Sequence, residues 1–337
     1  TLDRSLGKDP SVWLRQLVNK IGEPTVRQAM RHAMRILGNE FVLGQSIEKA
    51  IRRSKPGQAY SYDMLGEAAR DSRTAARYYE DYAGAIAAVA GIDAGSVRSA
   101  RSSVSVKLSA LHPRYEEAQR TRVLAELGDR MMELCRHAAQ HDVDLTIDAE
   151  EADRLELSLD IFQRLAEDDS LSYWPGLGIV VQAYGKRAPL VIDWLAELAR
   201  QTGRRIPVRL VKGAYWDAEI KHAQVSGFPG FPVFTRKAST DLSYLACARK
   251  LLDYGENLSP QFATHNAHTI AAVMAITGER RELEFQRLHC MGEALYKVAQ
   301  QRFDRFPPVR IYAPVGVHED LLAYLVRRLL ENGANSS

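Results

Sequence analysis

Polar side chains at the ends of short apolar segments are where this chain could do chemistry. Lys107, Asp148, Gln182, Arg209, His265, Gln286 and Tyr312 each close or interrupt a run of β-branched and large apolar residues. In an extended strand residues i and i+2 share a face. Ser105 and Lys107 then oppose Val104, Val106 and Leu108, while Thr146 and Asp148 oppose Leu145 and Ile147. Arg209 opposes Val208 and Leu210, and Arg310 and Tyr312 oppose Val309 and Ile311. The polar set is rich in cations: Lys107, Arg209 and Lys212, with Arg236 and Lys237 nearby. Such a site selects an anionic ligand, a carboxylate or a phosphate. Lys107 could instead be a Schiff-base lysine, which requires a desolvated, neutral amine; surrounding cations would favour that form. A second cationic feature lies in YLVRRLLENG, residues 324–333, where Arg327 and Arg328 sit side by side in an apolar helical pattern. Read alone, they form a solvated charge pair with Glu331 one turn on, stabilising by ~0.2–0.5 kcal/mol.

The elements that must position these groups follow from periodicity. Eight segments read as strands: SVSVKLS (103–109), DLTIDAE (144–150), GIVVQAY (178–184), PVRLVKGAY (207–215), FPVFT (231–235), PQFATHN (260–266), LEFQRLH (283–289) and VRIYAPVG (309–316). Most are followed by an amphipathic helix, so the pattern predicts an α/β chain folded as a (βα)8 TIM barrel. FPVFT is the weakest member, short and interrupted by Pro232. A doubly wound sheet is the alternative. Residues 11–90 read as helices, rich in Ala, Arg and Leu at helical spacing. The Gly- and Ser-rich stretch GIDAGSVRSARSS (91–103) reads as a linker. The expected division is an N-terminal helical region over 1–100 and the barrel over 101–337. Catalytic groups of such barrels sit at the C-terminal ends of the strands, where the polar residues above fall.

Composition excludes several classes. The 337 residues are 46% hydrophobic and 26% charged, with 45 basic and 42 acidic residues and a net charge of +3. That balance argues against nucleic acid as the partner. Cys135, Cys247 and Cys290 show no CxxC spacing and read as free thiols of a reducing cytoplasm. No apolar run reaches the ~18 residues of a membrane span, and no signal peptide opens the chain. Its first residue is Thr1 rather than Met, as in a piece of something longer. No GxGxxG follows a strand, and neither GxxxxGK[ST] nor HExxH occurs, so Rossmann, P-loop and zincin readings are weak. No metal site is expected.

The blocks VSVKLSALHPRYE, LTIDAEEADRLELSLDIF, VRLVKGAYWDAEIKHAQ, FPVFTRKASTDLSYLACA, FATHN and RIYAPVGVHEDLLAYLVRRLLENGAN resemble the proline dehydrogenase domain of bacterial proline utilization A. FVLGQSIEKAI (41–51) carries a looser match. The resemblance implies a distorted (βα)8 barrel that binds FAD and oxidises L-proline to Δ1-pyrroline-5-carboxylate, by hydride transfer to flavin N5, as the first step of proline catabolism. It implies that the last helix lies over the barrel mouth, where Arg327 and Arg328 grip the substrate carboxylate. Their side chains diverge by ~100°, and Lys107 adds a third positive contact. Tyr312 and Leu288 would pack on the substrate ring, and Asp148 would orient one of the clamp arginines. Arg209 would donate to the flavin and Gln182 would meet its edge. Lys212 and Gly213 would serve its ribityl and pyrophosphate side, with Tyr215 and Trp216 near the ring system. Arg236, Lys237 and Thr240 would serve the phosphates and adenosine. Thr264, His265, Asn266, Gln286 and Glu331 would make further cofactor contacts.

The family also implies a quinone acceptor at the membrane surface, and hence a cytoplasmic protein able to sit peripherally on the inner membrane. The DNA-binding and aldehyde dehydrogenase modules of bifunctional members are not in these residues, so the reaction is expected to stop at pyrroline-5-carboxylate or its hydrolysed semialdehyde. HCMGEA (289–294) departs from the family's HGMGEP at Cys290 and Ala294. A flavin-free lyase using Lys107 as a Schiff base is the rival enzyme.

Overall fold

A computed structural model describes residues 40–92, 101–278 and 282–317, together with Thr25, Gln28, Tyr324, Leu325 and Arg327. Eight parallel strands close into a barrel. They are β1 (Tyr60–Met64), β2 (Ser103–Val106), β3 (Asp144–Ile147), β4 (Leu177–Gln182), β5 (Ile206–Val211), β6 (Leu258–Ala263), β7 (Glu284–Leu288) and β8 (Val309–Val315). Each pairs with its sequence neighbours, and β1 closes the ring on β8 with Ser61 beside Tyr312 and Asp63 beside Pro314. A closed ring rules out the doubly wound alternative.

The strands form because their outward positions are apolar and have helices to pack under. Val104, Val106, Leu145, Val208, Leu210, Phe262, Phe285 and Ala313 are all buried beneath the helical coat. That coat includes Ser72–Ala90, Arg120–Gln140, Leu155–Glu167, Ala188–Thr202, Lys237–Asp253 and Ala267–Thr277. Barrel lumens are usually filled by bulky branched side chains. Here the inward positions are largely polar: Ser61, Asp63, Ser105, Arg209, Glu284, Gln286 and Arg310 are buried too. Period-two alternation therefore sets one face against the helices and turns the other into a charged interior.

Two expectations need correction. The count of eight strands holds, but FPVFT is not one of them. Residues 231–235 form a loop across the end of β4, with a single antiparallel bridge between Gly185 and Val233 and a hydrogen bond from Phe234 N to Tyr184 O (2.8 Å). Pro232 removes one of the backbone donors a strand would need. The missing strand is YSYDM, inside the stretch read as helical. Its Tyr60 and Tyr62 face outward and are buried, while Ser61 and Asp63 face the lumen. The barrel thus begins well before residue 101, and the division at 100/101 does not hold. Between two helix-rich stretches, a five-residue strand has too little length for its alternation to stand out.

Candidate active site

The C-terminal ends of β1, β2 and β3 bring three charged groups together. Lys107 follows β2 and its Nζ lies 2.5 Å from Asp63 Oδ1, 3.2 Å from Asp148 Oδ2 and 3.4 Å from the Tyr312 hydroxyl. Its backbone N–H donates to the hydroxyl of Tyr82 on helix Ser72–Ala90 (3.1 Å). Asp148 Oδ1 accepts from Arg209 Nη1 (2.8 Å), and Oδ2 accepts from the Tyr312 hydroxyl (2.7 Å). Arg209 reaches inward from β5, its Nη2 donating to Ser61 and Ser105 (3.0 Å each) and its guanidinium lying 5.1 Å from the Tyr312 ring centroid. All four charged groups are at least nine-tenths buried. Two buried atoms, Arg209 Nε and Asp63 Oδ2, have no hydrogen-bond partner.

Burial opposes charge throughout this cluster, and the neighbours decide each outcome. Burial pulls the Lys107 ammonium down, but Asp63 and Asp148 more than offset it, and the amine stays well above its ordinary range. Burial would raise Asp148, yet Lys107 and Arg209 hold it below. Asp63 goes the other way: burial and the Asp148 charge push its carboxyl up against the pull of Lys107. The Schiff-base reading of Lys107 fails here, because carboxylates rather than cations surround the amine and keep it protonated.

Arg327 is the member of the expected arginine clamp that the structure describes; Arg328 and Glu331 lie outside the described residues. Arg327 forms a two-pronged ion pair with Glu67 (2.5 and 2.7 Å) and lies over the ring of Tyr215, 5.2 Å from its centroid. Burial opposes the Glu67 charge, but Arg327 outweighs it and lowers the carboxyl. Asp148 therefore does not orient this arginine, as expected from the resemblance; Glu67 does, and Asp148 serves Arg209, Lys107 and Tyr312. Tyr324 and Leu325, from the same helical stretch, pack against Val42 and Leu65.

The expected cofactor residues divide into two kinds. Lys212 and Lys237 bracket Asp241 (2.5 and 2.9 Å) at the start of helix Lys237–Asp253, with Arg236 at the N-cap and Thr240 buried in the first turn. A helix N-terminus flanked by cations is suited to phosphate. Gly213 has φ of 135°, and a Cβ there would stand 2.5 Å from the Tyr184 ring, so only glycine lets this loop close on β4. Gln286, in β7, keeps Oε1 buried without a partner while its amide nitrogen donates to Gln261 and Glu284.

The others are already engaged within the chain. Gln182 spans Glu150 O (2.7 Å) and Ala214 N (3.4 Å). His265 Nε2 accepts from Leu288 N (2.9 Å), which ties β6 to β7. Asn266 caps helix Ala267–Thr277 through Thr269 (2.9 Å), and the Thr264 hydroxyl accepts from Asn266 N (3.2 Å). Trp216 donates to Phe234 O (2.8 Å) and stays 40% exposed. Cys290, where the resemblance leads one to expect glycine, adopts φ of 61°, a left-handed conformation that glycine enters without strain.

Asp63, Glu67 and Glu150 are the site groups that sequence reasoning missed. Asp63 lies in β1 and Glu67 just after it, within the stretch whose periodicity reads as helical. Glu150 is buried at the end of β3, where it accepts from Ser109 N (3.0 Å), and burial raises its carboxyl to about 7. In DLTIDAE (144–150) Glu150 shares the parity of Thr146 and Asp148, so alternation offered a signal for it that the reading of the polar set did not use.

Comparison with known proteins agrees with this fold. The proline dehydrogenase family model matches residues 46–337. Bifunctional protein PutA of Salmonella typhimurium is 52% identical over 336 residues, covering 96% of this chain and 25% of that protein. The chain thus spans about a quarter of the length of such curated relatives. Proline dehydrogenase 1 of Bacillus subtilis is 29% identical and aligns along 91% of its own length. A crystal structure of Bradyrhizobium japonicum proline utilization A superposes with a TM-score of 0.85 at 55% identity, over 96% of this chain and 33% of that one. This chain belongs to the proline dehydrogenase family of flavoprotein oxidoreductases.

Proposed function

We propose that this barrel oxidises L-proline to Δ1-pyrroline-5-carboxylate with FAD as its cofactor. The observation that carries the reading is the buried Asp63–Lys107–Asp148–Arg209 cluster at the strand ends, with Arg327 at the mouth. When bound, FAD supplies the acceptor for a hydride from the substrate's ring carbon. The donor set fits such a group. The unpartnered Arg209 Nε is a donor and the unpartnered Gln286 Oε1 an acceptor, as a ring edge of mixed polarity demands. Lys212, Arg236 and Lys237 at a helix N-terminus suit a pyrophosphate.

The chain's own residues then divide the work. Arg327, joined by Arg328, binds the substrate carboxylate, with Glu67 holding Arg327 in place. Lys107 supplies positive potential from below, and Tyr312 with Leu288 shapes the wall against the ring. Arg209, immobilised by Asp148, Ser61 and Ser105, presents a fixed positive charge. A charge fixed in advance stabilises the electron-rich product without reorganisation. A quinone at the membrane surface takes the electrons onward, a reading supported by the family resemblance alone. Among the described residues no helix is long and apolar enough to cross a membrane.

The test is the visible spectrum of the purified protein, followed by anaerobic addition of L-proline. A bound flavin that proline bleaches is the expected result. A yellow protein that proline leaves oxidised would remove the substrate, and a protein that cannot take up FAD would remove the reading.

A further inference from the structure

The cluster contains a carboxylate with nothing yet to do. Asp63 is 1% exposed, its Oδ1 lies 2.5 Å from Lys107 Nζ, and its Oδ2 has no hydrogen-bond partner. Oxidation of a cyclic ammonium removes a hydride and also a proton from nitrogen, and that proton needs a destination. Lys107 cannot be the final acceptor, because an ammonium is three donors with no lone pair until it gives a proton away. We propose that Asp63 is the proton acceptor of the reaction, loaded through Lys107: the substrate's ring amine passes a proton to Nζ as Nζ passes one of its own to Asp63 across their 2.5 Å contact. This rests on the function proposed above.

The bonds balance. An N–H of the substrate breaks as an N–H of Lys107 forms, and an N–H of Lys107 breaks as an O–H of Asp63 forms. Lys107 ends as it began, Asp63 ends neutral, and the electron pair leaves separately with the hydride to the flavin. Once the product departs, Asp63 gives the proton back to Lys107 as Lys107 releases one of its own to water entering the emptied mouth.

Two carboxylates touch Lys107, and the structure distinguishes them. Both oxygens of Asp148 are engaged, Oδ1 by Arg209 and Oδ2 by Tyr312 and Lys107, so protonating it would break an established set of bonds. Asp63 loses only part of one contact, and its free Oδ2 has no bond to give up. The groups facing it are Lys107 from the end of β2, Asp148 from the end of β3, Tyr312 from β8 and Tyr82 from helix Ser72–Ala90. Burial and Asp148 favour its neutral form, while Lys107 and Arg209 keep Asp148 ionised. A pair of acids with environments pushed apart is the usual signature of divided acid–base roles.

The test uses the flavin-loaded enzyme and the variant Asp63→Asn, which keeps the shape and an oxygen toward Lys107 but cannot take the proton. Flavin bleaching by L-proline is timed anaerobically from mildly acidic to alkaline pH. The wild type should reach a plateau. The variant should fall roughly 10²–10⁴-fold at neutral pH and climb about tenfold per pH unit without a plateau, because only amine already neutral reacts. Its apparent affinity for proline should stay near wild type, and Asp63→Glu should restore part of the plateau; a merely structural Asp63 would do neither. A variant that keeps the wild-type rate and plateau overturns the proposal.

A second measurement needs no variant. The infrared difference spectrum of wild-type enzyme reduced by proline, recorded before the product departs, against enzyme reduced by dithionite, should show a carboxylic acid C=O stretch that shifts on aspartate labelling. Its absence would also overturn the proposal. If proline fails to bleach the wild type at all, the fault lies with the proposed substrate and not with Asp63.

Discussion

The barrel encloses two charged layers, and they are built differently. In the lower layer, Arg310 holds Glu284 through two bonds (2.9 and 3.0 Å), donates to Arg101 O, and shares Glu284 with the Gln286 amide (2.7 Å). Both charged groups are fully occupied by each other and by neighbours. The upper layer of Asp63, Lys107, Asp148 and Arg209 is as deeply buried, yet two of its charged groups keep an atom without a partner, whereas in the lower layer the unpartnered atom is the neutral Gln286 Oε1 and the charges are paired. Burying an unpaired polar atom is costly, so a site that retains such atoms has a use for them. The lower layer is read as structure and the upper as chemistry. Both arise from one strand parity; only the surroundings separate them.

The largest effect should fall on the lower layer. Arg310→Met leaves Glu284 buried without its cation and should cost roughly 3–5 kcal/mol in chemical denaturation. Adding Glu284→Leu should recover most of that loss, since a buried pair replaced whole by apolar groups is close to neutral. If the single variant is as stable as wild type, the lower layer does not anchor the barrel.

Arg209→Met tests the opposite layer. Flavin reduction by proline should slow roughly 10²–10³-fold, about 3–4 kcal/mol. Denaturation should move less than for Arg310→Met, because Asp148 keeps Lys107 and Tyr312 as partners. Equal losses of stability in both variants would erase the distinction between the layers.

Glu150, at the edge of the upper layer, sharpens the comparison through pH. Its carboxyl is raised from 4.5 to about 7 in the folded protein, with burial as the main cause. A carboxyl raised on folding contributes stability that is fully present below its unfolded value and lost as pH rises through the folded one. Stability should therefore decline from about pH 5 to about 7, by at most roughly 3 kcal/mol. Glu150→Gln should remove that slope, as urea denaturation across the window would show.

The smallest of these effects belongs to the mouth. Arg327→Ala should weaken the apparent affinity for proline by roughly 1.5–3 kcal/mol, the worth of a hydrogen bond to a charged group, with little change in stability. Unchanged affinity would remove Arg327 from the substrate site.

Much of this was legible in the sequence, and for one reason. Two-residue alternation is a local property, so Lys107, Asp148, Arg209 and Tyr312 could be assigned to one face before any fold was known. Seven of the eight strands came from the same signal. Where it failed, length was the cause: YSYDM offers five residues between helix formers, and FPVFT imitated a strand in five residues broken by proline.

The amino-acid sequence by itself determined the period and face polarity of seven strands, and the family. It could not determine which charges meet. Asp63 and Lys107 are 44 residues apart, Arg209 and Ser61 are 148 apart, and Glu67 and Arg327 are 260 apart. Nothing local encodes those pairings. Pairing of β2 between β1 and β3 left Lys107 between two carboxylates, which changed it from a possible nucleophile into a fixed cation, and closure of β1 on β8 set Ser61 and Asp63 beside Tyr312 and Pro314.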